Sequence, residues 1–129
     1  MGAFAFDLTS EPGVIRMVLK GSFDAVQMRD FVVAHNRAVD SMAGRPYRVW
    51  VDIRELVPIS PECAQIVEEA KRYSATRPTF RGSAVLVASA TVALQHRRTS
   101  VSGGVMDSEL ISNDEAELRA HLAKVNRRT

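Results

Sequence analysis

Residues 47–63 read YRVWVDIRELVPISPEC and combine a mostly apolar run with the start of a helix. The apolar run, residues 47–53, predicts a strand in the interior of a sheet. Ser60 followed by Pro61 predicts a helix that begins there, because serine is a favoured N-cap and proline suits the first helical position. A strand followed by a capped helix places Asp52 and the loop beyond it at the carboxyl edge of a sheet, where open α/β folds bind their ligands.

The residues on either side of this stretch extend the pattern. Two alternating runs, residues 3–8 and 14–20, predict an antiparallel hairpin around the turn Glu11-Pro12-Gly13. The further predicted order is helix 25–43, strand 47–53, a helix from Ser60 that ends before Pro78, strand 83–88, helix 90–102, strand 107–111 and a final helix. This order, β-β-α-β-α-β-α-β-α, predicts an α/β fold: a single domain with a mixed sheet of four to five strands and helices mainly on one face.

Three helix ends carry explicit signals in the sequence. Asp24 and Gln27 have the spacing of a capping box at the start of the first helix, and Ser112 and Glu115 have the same spacing before the last one. The pair Gly103-Gly104 stops the helix that precedes it. These signals support the predicted element order independently of the apolar patterns.

Composition excludes several classes of function. The chain has 129 residues and a formal net charge of +2, so one domain over residues 1–129 is expected, and nucleic acid is not a predicted partner because such binding needs a concentrated basic surface. Cys63 is the only cysteine, which excludes an internal disulfide and favours a reducing compartment. Since no window approaches the roughly 20 apolar residues that span a bilayer, a cytoplasmic protein without a membrane span is expected.

A search for catalytic groups finds little. His35, His96 and His121 fall on three different predicted helices without carboxylates at ligand spacing, so neither a metal site nor a cofactor is predicted. Ser60 and Cys63, the candidate nucleophiles, both have structural explanations at a helix start. The sequence therefore predicts a protein that is not an enzyme.

The whole pattern resembles the STAS domains of sulphate transporters and bacterial anti-sigma-factor antagonists, in particular their SpoIIAA-like branch, which is related in shape to the CRAL-TRIO lipid-transfer fold. The resemblance lies in residues 49–53, 54–59, the helix start at Ser60, and residues 84–87 and 112–122. It implies a bacterial signalling module that docks a protein partner. In the antagonists an Asp-Ser-Ser-Gly motif follows the central strand, and a partner kinase phosphorylates its second serine. The matching residues here are Ser-Pro-Glu-Cys, with Glu62 at the acceptor position.

The predicted docking surface joins the loop 54–60 to the start of the second helix and to the third helix. Its candidate partner-binding residues are Asp52, Arg54, Ser60, Glu62, Arg97 and Arg98. For Asp52 and Arg54 the alternative is that they pair with each other. For Ser60 two interpretations stay open, an N-cap and a phosphorylation site, because a phosphate is favoured at a helix amino end.

Three hypotheses about function follow from these observations. The first is a non-enzymatic regulatory module that docks a protein partner, with a homodimer as one form of association. The second is a binding protein for a small apolar, lipid-like ligand, held between helices and sheet as in CRAL-TRIO relatives. The third is an enzyme that acts through Asp52, Arg54 and His96.

Overall fold

Five strands and four helices follow one another in the predicted order. The structure is a computed structural model that describes residues 2–126. The strands are β1 (Ala3–Asp7), β2 (Val14–Lys20), β3 (Tyr47–Asp52), β4 (Phe80–Leu86) and β5 (Glu109–Ser112), and the helices are α1 (Ala25–Asp40), α2 (Pro61–Ala75), α3 (Ala90–Gly103) and α4 (Glu115–Asn126). The prediction of an α/β fold with this element order is confirmed.

The strands lie in the sheet in the same order as in the chain. β1 pairs antiparallel with β2, while β2, β3, β4 and β5 are parallel, which makes the sheet mixed. β3 is the middle strand, as its apolar sequence predicts. Parallel crossovers are almost always right-handed, and each one here moves one strand in the same direction. This agrees with the position of α1, α2 and α3, which all pack on one face of the sheet. A sheet built in this way has no point at which the strand order reverses, and therefore no crevice of the kind that open α/β folds use for ligands.

The two faces of the sheet carry separate apolar cores. On the first face Met17, Val49 and Val85 pack with buried residues of α1, α2 and α3. On the second face Trp50 and Ala84 pack with one side of α4, whose buried residues are Leu118, Leu122 and Val125. Successive strand residues point to opposite faces, so this division follows from the sequence of each strand. The prediction that helices lie mainly on one face is confirmed, with three helices on the first face and one on the second.

Several predicted boundaries are wrong: the first helix ends at Asp40 and not at residue 43, β4 ends at Leu86 and not at residue 88, and β5 begins at Glu109 and not at residue 107. Two further boundaries are wrong for clear local reasons. The final helix is capped by Asp114, which accepts hydrogen bonds from the backbone N–H of Ala116 at 2.9 Å and Glu117 at 3.3 Å, and the predicted box of Ser112 with Glu115 does not form. Ser112 cannot serve as the cap because it is the last residue of β5.

The second of these boundaries is the start of β4. The strand begins at Phe80 and not at residue 83, because it continues through a bulge that places Gly82 opposite Arg48. Gly82 has φ +153°, and a Cβ there would lie 2.7 Å from the Ser108 carbonyl oxygen. A glycine in a strand weakens the apolar pattern on which the prediction relied.

Candidate functional site

Asp52 and Arg54 pair with each other at the carboxyl end of β3. The guanidinium of Arg54 donates to both Asp52 carboxylate oxygens, from Nε at 3.1 Å and from Nη2 at 2.8 Å, and the Arg54 backbone N–H donates to the same carboxylate at 3.1 Å. These hydrogen bonds hold the pKa of Asp52 below its usual value. The arginine is exposed, so the pair is accessible from solvent, and two of the five guanidinium N–H groups are used within the pair.

Ser60 is the N-cap of α2. Its hydroxyl oxygen accepts a hydrogen bond from the Cys63 backbone N–H at 3.1 Å, and Glu62 lies exposed in the first turn, where the helix dipole favours a carboxylate. The loop before Ser60 is tied to α3, because the side-chain amide of Gln95 accepts from the Ile59 N–H at 3.0 Å and donates to the Ile59 carbonyl at 2.8 Å. The loop and α3 therefore form a continuous surface.

Arg97 and Arg98 lie on the exposed side of α3. Leu94 and Val101, which are 48% and 59% exposed, lie on the same side at helical spacing. Within residues 2–126 no carboxylate forms an ion pair with either arginine. This surface thus offers two free cations flanked by apolar side chains.

The structure does not bring all the predicted residues together. Asp52 follows Trp50 by two positions, so its side chain leaves β3 on the α4 face of the sheet. His96 is buried on α3 and lines a cavity on the opposite face, together with Val49 and Val51. The sheet therefore separates Asp52 and Arg54 from His96, and the three groups of the enzyme hypothesis do not share one site.

The cavity lies between the first face of the sheet and the three helices that cover it. Its volume is about 60 Å³. Every side chain that lines it is buried or half-buried. Most of the lining is apolar, and Val51 is only half-buried although it lies in the middle strand beneath the helices. The helices thus leave a gap over the centre of the sheet.

One wall of the cavity holds a buried ion pair. The Lys71 ammonium on α2 donates to Glu109 Oε1 at 3.0 Å, to Ser100 Oγ at 2.7 Å and to the His96 carbonyl at 3.1 Å. Glu109 Oε2 accepts from Ser83 Oγ at 2.9 Å, and Ser100 also contacts the carboxylate. Burial lowers the pKa of Lys71, while the attraction of Glu109 opposes that shift.

His96 is the unusual member of this wall. It is 6% exposed, and neither ring nitrogen has a hydrogen-bond partner among the described residues. Burial and the nearby charge of Lys71 lower the pKa of His96 well below its usual value, so the imidazole is neutral at pH 7. A buried polar ring without a partner is costly, and buried polar groups in proteins are normally satisfied.

The sequence contains a signal for this wall. Lys71 falls four residues after Val67 and three before Ser74, on the buried side of α2, and Glu109 shares the inward face of β5 with Ile111. A lysine and a glutamate on apolar faces indicate a buried pair, because such residues are almost never fully buried alone. The local sequence pattern does not show that these two elements, which lie far apart in the chain, meet in the fold.

The described residues 2–126 contain no cluster of histidine, cysteine, aspartate or glutamate side chains that could hold a metal ion. None of the helices within that range is long and apolar enough to cross a membrane. No model of a known protein family matches the sequence, and a search of curated proteins finds no significant match.

Proposed function

We propose that this protein binds a small, largely apolar molecule in the cavity between the sheet and helices α1 to α3. The observation that carries the proposal is a cavity with a mostly apolar lining, whose polar side includes the buried ion pair of Lys71 and Glu109. Ligand sites commonly combine an apolar lining with a few polar groups that orient the ligand. The cavity has this character, because its lining is mostly apolar and includes a few polar side chains, among them His35, Lys71 and Glu109.

The volume of the cavity limits the size of the ligand. Since a water molecule needs about 10–15 Å³ of such space, the cavity of about 60 Å³ has room for about four waters. The ligand is therefore a molecule of few heavy atoms, or the end of a longer chain. Apolar molecules gain most from such a site because the lining offers few partners to water.

We propose binding without chemical conversion. The support is the separation of Asp52 and Arg54 from His96 by the sheet, and the capping role of Ser60 at the start of α2. Cys63, the other candidate nucleophile, is buried, and its Sγ lies 3.5 Å from the Phe23 carbonyl oxygen. The single cysteine supports a reducing, cytoplasmic setting for the protein.

Mass spectrometry of the purified protein tests this proposal. Wild-type protein is compared with a Val51→Phe variant, whose added ring occupies the cavity, and with Val57→Phe as a matched control on the exposed loop. We expect a small apolar molecule to accompany the wild type and the control, and to be absent from Val51→Phe. Equal recovery from all three proteins, or no bound molecule in any, would count against the proposal.

A second candidate function is the docking of a protein partner on the surface formed by α3 and the loop 54–60. Its specific support is the combination of unpaired Arg97 and Arg98 with exposed Leu94 and Val101, which suits a partner segment that is both acidic and apolar. This is the regulatory role that the resemblance to STAS domains implies. The same helix borders the cavity with its buried side, so the two functions do not compete for residues.

Affinity capture tests the docking role. A double variant Arg97→Glu with Arg98→Glu reverses two charges on the α3 surface, while the control Arg37→Glu reverses one charge on the exposed side of α1. We expect a partner captured by wild type to be retained by the α1 variant and lost from the α3 variant. A partner that survives the α3 reversal would exclude this surface as its docking site.

A further inference from the structure

We propose that α3 docks α1 of a second copy of this chain, and that a two-fold axis repeats the contact to form a closed dimer. This inference rests on the docking role proposed above for the α3 surface, and it names the partner. The support is an exposed stripe of side chains on each of the two helices. Both stripes are apolar at their ends and charged in the middle, with the same spacing and opposite charge.

Each stripe has three residues at positions i, i+4 and i+7, which lie on one side of a helix. The α3 stripe is Leu94, Arg98 and Val101, and the α1 stripe is Val26, Asp30 and Val33. The four apolar side chains are 48–71% exposed. Neither charged residue forms an ion pair in the part of the chain that the structure describes. Aligned, exposed apolar side chains with a free charge between them are typical of an interaction surface.

Both stripes point away from the sheet. The opposite side of each helix is buried against the core, with Met28 and Phe31 on α1 and Val92 on α3. The two helices run in the same direction, because each returns from the carboxyl end of one parallel strand to the start of the next. α1 begins five residues after the end of β2 and α3 begins four residues after the end of β4, so the stripes lie at similar heights.

A two-fold axis parallel to the helices and above α2 places each stripe on the complementary stripe of the second copy. Such an axis keeps the direction of the helices and exchanges their left and right positions, so α1 of one copy lies over α3 of the other. Asp30 of one copy then faces Arg98 of the other, with the apolar residues of both stripes on either side. Pairing α1 with α1, or α3 with α3, would instead place like charges opposite each other, which is unfavourable.

α2 lies between the two contacts and is polar on its outer side. It packs against both α1 and α3, and it exposes Gln65, Glu69 and Arg72. The two charged residues form ion pairs within the chain, Glu69 with Arg29 and Arg72 with Glu68. Interfaces commonly hold water between polar groups of this kind. The dimer therefore needs no apolar contact between the two α2 helices.

Analytical ultracentrifugation of the whole protein at concentrations from about 1 µM to about 1 mM tests the inference. We expect the wild type to form dimers, with a Kd that rises with salt concentration because the ion pairs are screened. Arg98→Asp and Asp30→Arg should each raise the Kd at least about ten-fold, since like charges then face each other at both contacts. The double variant Asp30→Arg with Arg98→Asp restores opposite charges, and its Kd should return to within about three-fold of the wild-type value.

Lys124→Asp on α4 is the matched control, because it makes the same change of charge at an exposed position on the other face of the sheet. It should leave the Kd unchanged. A wild-type protein that stays monomeric throughout, a double variant no better than either single one, or assemblies larger than a dimer would overturn the inference. If the protein is monomeric but a foreign partner is captured and lost in the α3 variant, the docking role stands with a different partner. If neither a dimer nor a captured partner is found, the docking role fails as well.

Discussion

At the scale of single residues, the pair of Lys71 and Glu109 is the most consequential. Their side chains are 12% and 4% exposed, so removing one leaves the other as an unpaired buried charge. We expect Lys71→Met to lower the free energy of unfolding by about 3–5 kcal/mol in urea denaturation. The double variant Lys71→Met with Glu109→Gln should recover much of that loss, because no unpaired charge remains.

The matched control for this prediction is Arg72→Met. Arg72 is exposed and pairs with the half-buried Glu68 four residues earlier on α2, and ion pairs near the surface contribute about 0–1 kcal/mol. A loss from Lys71→Met no larger than the loss from Arg72→Met would mean that the cavity wall is open to water and not buried. A double variant as unstable as the single one would point to packing and not to charge.

His96 predicts how stability depends on pH. In the folded protein the pKa of His96 lies well below its usual value, whereas in the unfolded chain it is near 6.5. Below pH 6.5, therefore, only the unfolded chain takes up this proton. Stability should therefore fall as the pH drops from about 7.5 to 5, by up to about 1.4 kcal/mol per pH unit for this group. His35, whose pKa burial also lowers, acts in the same direction.

Denaturation of two variants across this pH range checks the sign and the assignment. His96→Phe should reduce the slope of stability against pH, and adding His35→Phe should reduce it further. Asp52 does not interfere, because its pKa is lowered in the folded protein. Its contribution to stability changes only below about pH 4, where the aspartate of the unfolded chain takes up a proton. A slope that is the same in wild type and His96→Phe would show that the ring is solvated in the native protein.

At the scale of secondary-structure elements, the start of α2 separates two interpretations of Ser60. If Ser60 acts as an N-cap, Ser60→Ala should lower the free energy of unfolding by about 1 kcal/mol. Ser60→Asp should retain the cap and most of the stability. Thermal unfolding of both variants measures this difference. Ser60→Ala as stable as wild type would remove the capping interpretation and leave a regulatory role as the reason for the serine.

Most elements could be predicted because their signals are local. The capping box of Asp24 with Gln27 forms as expected, with the Gln27 backbone nitrogen 2.8 Å from the Asp24 carboxylate, and Gly104 is the C-cap of α3 with φ +81°. The last helix was misjudged because Ser112 and Asp114 are both good caps by residue type. The choice between them depends on β5, which pairs with a strand more than twenty residues earlier.

At the scale of the whole molecule, the cavity and its polar wall could not be predicted. The wall joins Lys71 of α2, His96 of α3 and Glu109 of β5, and the sequence indicates only that each falls on an inward face. Whether helices close fully over a sheet depends on the packing of side chains from several elements at once. The predicted surface residues Asp52 and Arg54 were placed correctly at the end of β3, but on the other side of the sheet from the cavity.

The central claim is that the space between the sheet and α1 to α3 accepts an apolar guest, and a crystal of the protein under xenon pressure tests it most directly. We predict a xenon atom within about 4 Å of the side chains of Val51, Val67 and Val85, and none at this place in Val51→Phe. A wild-type crystal in which the same space holds no xenon, while surface sites do, would contradict the claim.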